Sequence, residues 1–325
     1  MLETLKTNTA AALFLSVVSS LVLFIPLLFV AQNTDVQHLN GGLLVGIVSS
    51  IPLWGQYTIS IVGYLIAVWY ANYVINKHQL LGRGNQLSGF FVAFLLAIGP
   101  SLLLDNLLGI SILLIIRLFD RCFEIQKSTR PNHLLFDATF ITTILTLFYT
   151  PFIALLLIVW MAAIYSGHFG IKGWLLTIFT LLITTYIVIG ILYLFNVPFQ
   201  PPLNPVTFQL SLPSTTGYRI IYYLLIALVV IAMPTVFSVL RFSKVIIRNH
   251  INFSIRSIPI FLLIFLTTSI NPLGLFSFLF FPLAIILAQF FLTVKKKRIA
   301  NIGIILITIL VVAFQLFRIL EPNYF

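Results

Sequence analysis

Charge is scarce in this chain. Of its 325 residues, 18 are Lys or Arg and 7 are Asp or Glu, together 8%, while 60% are hydrophobic. Soluble globular proteins carry about 25% charged residues and need them to cover an apolar core, so an ordinary soluble domain is excluded and a bilayer is the expected solvent. Cysteine is scarcer still. The single Cys122 excludes a disulfide framework, a CxxC redox pair and a thiolate zinc site by counting alone. Motifs that carry chemistry elsewhere are missing too: there is no HExxH helix, no GxxxxGK phosphate loop, no GxGxxG turn and no GxSxG elbow. The five histidines (His38, His78, His133, His168, His250) lie at least 35 positions apart. Each falls in a predicted loop or helix end, so metalloprotease, P-loop ATPase and rhomboid-like serine protease readings find no support.

What the sequence does have is long apolar runs. Cutting them at charges, Pro and Gly clusters leaves eleven segments near the length that crosses a bilayer: 10–31, 55–75, 86–104, 107–119, 134–149, 151–166, 171–195, 218–240, 258–270, 273–294 and 299–318. Backbone in hydrocarbon must satisfy its own hydrogen bonds, and the alternation of a membrane barrel is absent, so an all-α, polytopic bundle of about eleven helices in one integral membrane domain is predicted. The net charge of +11 then reads as orientation, not as nucleic-acid binding. With the N-terminus inside, 16 of the 18 cations fall on the cytoplasmic side, and only Arg219 and Arg318 fall outside. The expectation is a bacterial inner-membrane protein with its C-terminus outside and membrane lipids as its surroundings. Residues 10–31 run too long for a cleaved signal peptide and are expected to stay as an anchor.

Three features stand on the expected outer side. Residues 41–54 (GGLLVGIVSSIPLW) are too short to cross and return, and Pro52 and Trp54 mark an interfacial boundary, so a helix lying in the outer interface is predicted there. The loop 196–217 carries five prolines and no charge, which favours an extended segment over the bundle. Asp35 follows the first segment, Asp105 sits between the third and fourth, and Arg219 opens the eighth. Two carboxylates can supply a general base or hold a divalent cation, and an arginine can clamp a phosphate. Structural readings compete at each position. Asp35 fits a solvated loop, Asp105 with Asn106 fits a helix cap, Arg219 fits snorkelling to head groups, and Asp137 fits a cap on the fifth segment. Pro26, Pro234 and Pro282 interrupt long apolar runs and are expected to kink them. Ion-coupled transport is disfavoured, because no Asp, Glu, Lys, Arg or His is placed near the middle of a segment.

Leu135-Phe136-Asp137-Ala138-Thr139, then Leu147-Phe148-Tyr149 and Gly173-Trp174-Leu175, resemble the pattern of an uncharacterised bacterial family of multi-pass inner-membrane proteins, over roughly residues 75–195. More distantly, Asp35, the segment 41–54 and Asp105 stand where the C-type glycosyltransferase fold has an essential acid after its first helix, interfacial helices, and a second acid between its third and fourth helices. The chain has no DxD or Asp-Glu pair and no soluble outer domain. That resemblance implies transfer of a sugar from a polyprenyl-phosphate donor at the outer face. Asp35 and Asp105 would be the catalytic acids, with a divalent cation as cofactor and Arg219 and His38 as substrate-binding residues. The alternative is a non-catalytic transport, assembly or scaffold component.

Overall fold

The computed structural model describes residue 18 and residues 52–82, 84–98, 108–167, 170–194, 216–266, 279–294 and 297–320. Every element of secondary structure among them is helical: α1 (Leu53–Lys77), α2 (Leu87–Ile98), α3 (Leu108–Lys127), α4 (Asn132–Phe148), a 3-10 turn (Thr150–Leu155), α5 (Leu156–Tyr165), α6 (Ile171–Leu194), α7 (Thr216–Phe242), α8 (Val245–Leu266), α9 (Phe280–Thr293) and α10 (Lys297–Leu320). Two of them, α6 over its whole length and α7 from Tyr223 to Arg241, are long and apolar enough to cross a membrane.

The bundle is built around α2, all twelve residues of which are buried, and around α9, which is buried from Phe280 to Gln289. A helix apolar on every side has no face to give to water and takes the centre. These two pack on each other; α1 and α10 lean on α2, and α7 leans on α9. α3 lies against α1, α4 and α5. Its buried face joins a cluster of aromatic rings from α8 and α9: Phe119 stands 6.0 Å from Phe253, 6.1 Å from Phe261 and 4.6 Å from Phe281.

α4 and α6 pack together, and small residues are prominent among the buried positions of both: Thr139, Thr142 and Thr143 on one helix and Gly173, Thr177, Thr180 and Thr184 on the other. The hydroxyls of Thr139, Thr142 and Thr143 donate to the carbonyl one turn earlier, so each enters an apolar contact already satisfied. Where α1 meets α2, Gly89 brings the backbones together: a Cβ there would lie 3.2 Å from the Asn72 Cβ. The seam is tied by Asn72 to Gln86, and by the Ser88 hydroxyl to the Asn72 amide oxygen at 2.7 Å.

Several expected boundaries move. The segment predicted over 107–119 is a helix running to Lys127, because Arg117 with Asp120 and Arg121 with Glu124 pair along one turn and carry the helix past its apolar run. The segment predicted over 258–270 starts thirteen residues earlier, so Arg248 and Arg256 sit on α8 and not in a loop. Pro234 lies inside α7, but Pro282 lies in the first turn of α9 and begins that helix, where a missing N–H costs nothing. The break expected at Thr150 and Pro151 is present: Tyr149 is extended, and the 3-10 turn intervenes before α5.

Candidate functional site

All three carboxylates among the described residues (Asp120, Glu124 and Asp137) meet in one place, at the end of α1 and the second half of α3. This lies beyond the apolar segments 55–75 and 107–119, at their expected cytoplasmic ends. Asp120 is the hub. Its side chain is fully buried, and it accepts from the Lys77 ammonium at 2.8 Å, the His78 Nε2 at 2.8 Å and the Arg117 guanidinium at 2.9 Å. The Tyr70 hydroxyl stands 3.4 Å away and itself accepts from Arg117 at 3.0 Å. Lys77 also reaches Glu124 at 2.7 Å, Arg121 bonds Glu124 at 2.7 Å, and Arg121 approaches Asp137 of α4 at 3.3 Å.

Local structure aims His78 into the hub. α1 ends in a tight reversal: the Gln79 N–H donates to Asn76 and the Leu80 N–H to Ile75, which satisfies carbonyls that a helix end leaves open. The reversal requires a left-handed residue at position 79, and Gln79 takes it with φ 54°. His78 is left at the helix cap, buried, with its ring 5.0 Å from Phe123. On its far side the Lys127 Nζ lies 3.1 Å from Nδ1. An ammonium can only donate, so Nδ1 is the acceptor and Nε2 carries the proton given to Asp120. Lys127, His78 and Asp120 thus form a donor chain from an exposed lysine to a buried carboxylate.

The electrostatics make this a latch. Burial works against the Asp120 carboxylate, but the bonds from His78 and Lys77 outweigh it and hold its pKa down to about 2. Burial also opposes the Glu124 anion, and the bonds from Lys77 and Arg121 again prevail. His78 is pushed below the ordinary imidazole value by burial, against the pull of Asp120, so it is neutral at pH 7. Burial and the Lys77 charge lower Lys127. A carboxylate this acidic is a permanent anion at neutral pH: it binds its four partners but does not exchange protons with solvent.

A second histidine stands beside the hub. His250 of α8 is buried, its ring 5.6 Å from that of His78 and 4.9 Å from Phe123, and its Nδ1 meets the Gln126 amide oxygen at 2.9 Å. Its Nε2 and the Gln126 amide nitrogen are buried without a hydrogen-bond partner. Burial, then the charge of Lys127 and the neighbouring His78, depress His250 to about 3. Among the described residues no three His, Cys, Asp or Glu side chains are placed to hold a metal.

The residues expected to carry chemistry are distributed differently. Asp35, His38, Asp105, Pro26 and the Gly-rich start of segment 41–54 lie outside the described residues. At the end of that segment, Pro52 caps α1, and Trp54 falls in its first turn. Arg219 is exposed in the first turn of α7. Asp137 is not a cap: it lies in the second turn of α4, behind Pro131, and turns to Arg121 instead. His250, expected in the loop between the segments 218–240 and 258–270, is inside α8 and beside His78 despite a separation of 172 positions. Sequence reasoning passed over Asp120 and Glu124. The signal that could have found them is RLFDRCFE, cation and acid spaced three apart in a chain with seven acids in all. No protein-family model matches the chain, and no curated protein or solved structure is significantly similar to it.

Proposed function

We propose that the chain is a multi-pass integral membrane protein of a bacterial inner membrane, N-terminus inside and C-terminus outside, acting as a non-catalytic scaffold in membrane transport or assembly. One observation carries the membrane part of this reading. Only 22% of the apolar run in α6 and of that in α7 is buried within the bundle, leaving Phe179, Leu182, Ile187, Val230 and Ile231 more than half exposed. Faces this apolar are unstable in water and at rest in hydrocarbon. The closed form of the Asp120 hub supports the scaffold part, since every carboxylate described is spent on tying α1, α3 and α4 to one another.

A second reading is transfer of a sugar from a polyprenyl-phosphate donor at the outer face, with Asp35 and Asp105 as acids, a divalent cation between them and His38 and Arg219 on the phosphate. In its favour stands Arg219, exposed at the head of a membrane-length helix, where a lipid phosphate would lie. Complementation of a deletion strain separates the two. The scaffold reading expects Asp35→Asn and Asp105→Asn to restore the phenotype fully while Asp120→Asn restores it less well, in step with a lowered level of folded protein. Loss of function in both outer variants, at normal protein level, would replace it with the transferase reading.

A further inference from the structure

The acids of this chain end early. Between Asp137 and Glu321 there is no Asp or Glu, while eleven Lys and Arg lie in that stretch. The three carboxylates among the described residues are all engaged with cations of α1 and α3. Arg241, Lys244, Arg248 and Arg256, from the end of α7 into α8, therefore meet no carboxylate among the described residues.

Three of them gather at one joint. α7 ends at Phe242 and α8 begins at Val245, so Ser243 and Lys244 alone turn the chain, with the Arg248 N–H donating to the Lys244 carbonyl at 2.9 Å. Arg241, Lys244 and Arg248 are all exposed around this elbow. Between them Val245 and Ile246 are 61% and 55% exposed, and Phe237, one turn before Arg241, is 52% exposed. The membrane-length apolar run of α7 stops at Arg241 itself. Exposed apolar side chains and exposed cations thus stand within a helical turn of one another in the chain on both arms of the elbow, so hydrocarbon and negative charge are wanted side by side.

We propose that the α7–α8 elbow is a binding site for anionic phospholipid head groups of the cytoplasmic leaflet, Arg241, Lys244 and Arg248 meeting phosphate while Phe237, Val245 and Ile246 enter the acyl region. The proposal rests on the membrane reading above. An acidic protein or a nucleic acid would match the cations but leave the aliphatic side chains in water, whereas an anionic lipid satisfies both with one molecule. Each cation near a charged leaflet contributes roughly a fivefold gain in affinity, so three together give about a hundredfold preference over a zwitterionic lipid.

The test uses the full chain purified in detergent and titrated with phosphatidylglycerol or phosphatidylcholine, bound lipid being counted by native mass spectrometry. The wild type is expected to hold phosphatidylglycerol about a hundredfold more tightly, with the preference collapsing in Arg241→Gln/Lys244→Gln/Arg248→Gln and shrinking in high salt. If the triple variant does not fold, each single substitution is expected to weaken the preference roughly fivefold. Equal binding of the two lipids by the wild type, or a triple or single variant that keeps the wild-type preference, overturns the proposal. Failure of the membrane reading has a different signature, a chain that stays soluble and monodisperse with no detergent and binds neither lipid.

Discussion

Removing one oxygen from Asp120 is the sharpest perturbation the bundle offers. In Asp120→Asn the side chain keeps its size, but its charge is lost and an NH2 group turns donors toward donors. Lys77 and His78, at 2.8 Å on one carboxylate oxygen, and Arg117, at 2.9 Å on the other, lose the anion they share, and the single amide oxygen that remains can serve only one side. Breaking a buried ion pair by removing one partner costs about 3–5 kcal/mol. Lys77 and Arg117 keep side-chain exposures of 31% and 40%, so water recovers part of that loss, and about 2–4 kcal/mol is the expected cost. At roughly 2 °C per kcal/mol in larger domains, the melting temperature in detergent falls by about 4–8 °C. Glu124→Gln is the internal control, because Glu124 is 25% exposed and exposed pairs contribute about 0–1 kcal/mol. The pH dependence follows the sign of the shift: Asp120 is held below its unfolded value near 4, so its contribution is complete above that value and is lost as pH falls toward about 2. A variant that melts within about 1 °C of the wild type would refute the assignment of Asp120 as the hub.

Three other outcomes are expected. His250 is depressed to about 3 while an unfolded histidine titrates near 6.5, so the stability this difference represents is present above 6.5 and lost as pH falls toward 3. Melting curves from pH 7.5 to 5 should show that acid loss, and His250→Gln should flatten it while leaving the smaller share due to His78, also lowered; an unchanged slope would contradict it. Gln79 holds a left-handed conformation that glycine adopts freely, so Gln79→Gly is expected to raise the melting temperature slightly and Gln79→Val to lower it. Substituting Phe for Thr177 on α6 should cost several degrees, because that side chain is buried and accepts from the Trp160 indole of α5 at 3.2 Å.

How far the sequence was legible depends on the period of each signal. Apolar runs bounded by charge located α1, α4, α6 and α7 to within a few residues, because a membrane-length run is its own signal. The same cut failed on α3 and α8. Both continue into polar sequence, α3 through ion pairs three residues apart and α8 through a half that buries His250, Ile251 and Phe253 while exposing Arg248 and Arg256. Treating charge as the end of a helix hides a charged helix face. The latch was invisible for a related reason: His78 and His250 are far apart in sequence, and nothing local says that α1 and α8 meet against Phe123. Asp137 was found but given the wrong partner, since a residue near a helix start looks like a cap until the neighbouring helix supplies Arg121.

The membrane reading turns on whether α7 crosses a bilayer. Its two ends carry exposed cations, Arg219 in the first turn and Lys244 just past the last. In a Cys122→Ala background, which removes the lone and buried thiol, single substitutions Arg219→Cys and Lys244→Cys report each end to a membrane-impermeant maleimide. The account predicts labelling of Arg219→Cys in spheroplasts and of Lys244→Cys in inside-out vesicles, each site silent in the other preparation. Labelling of both sites from the same side would contradict it.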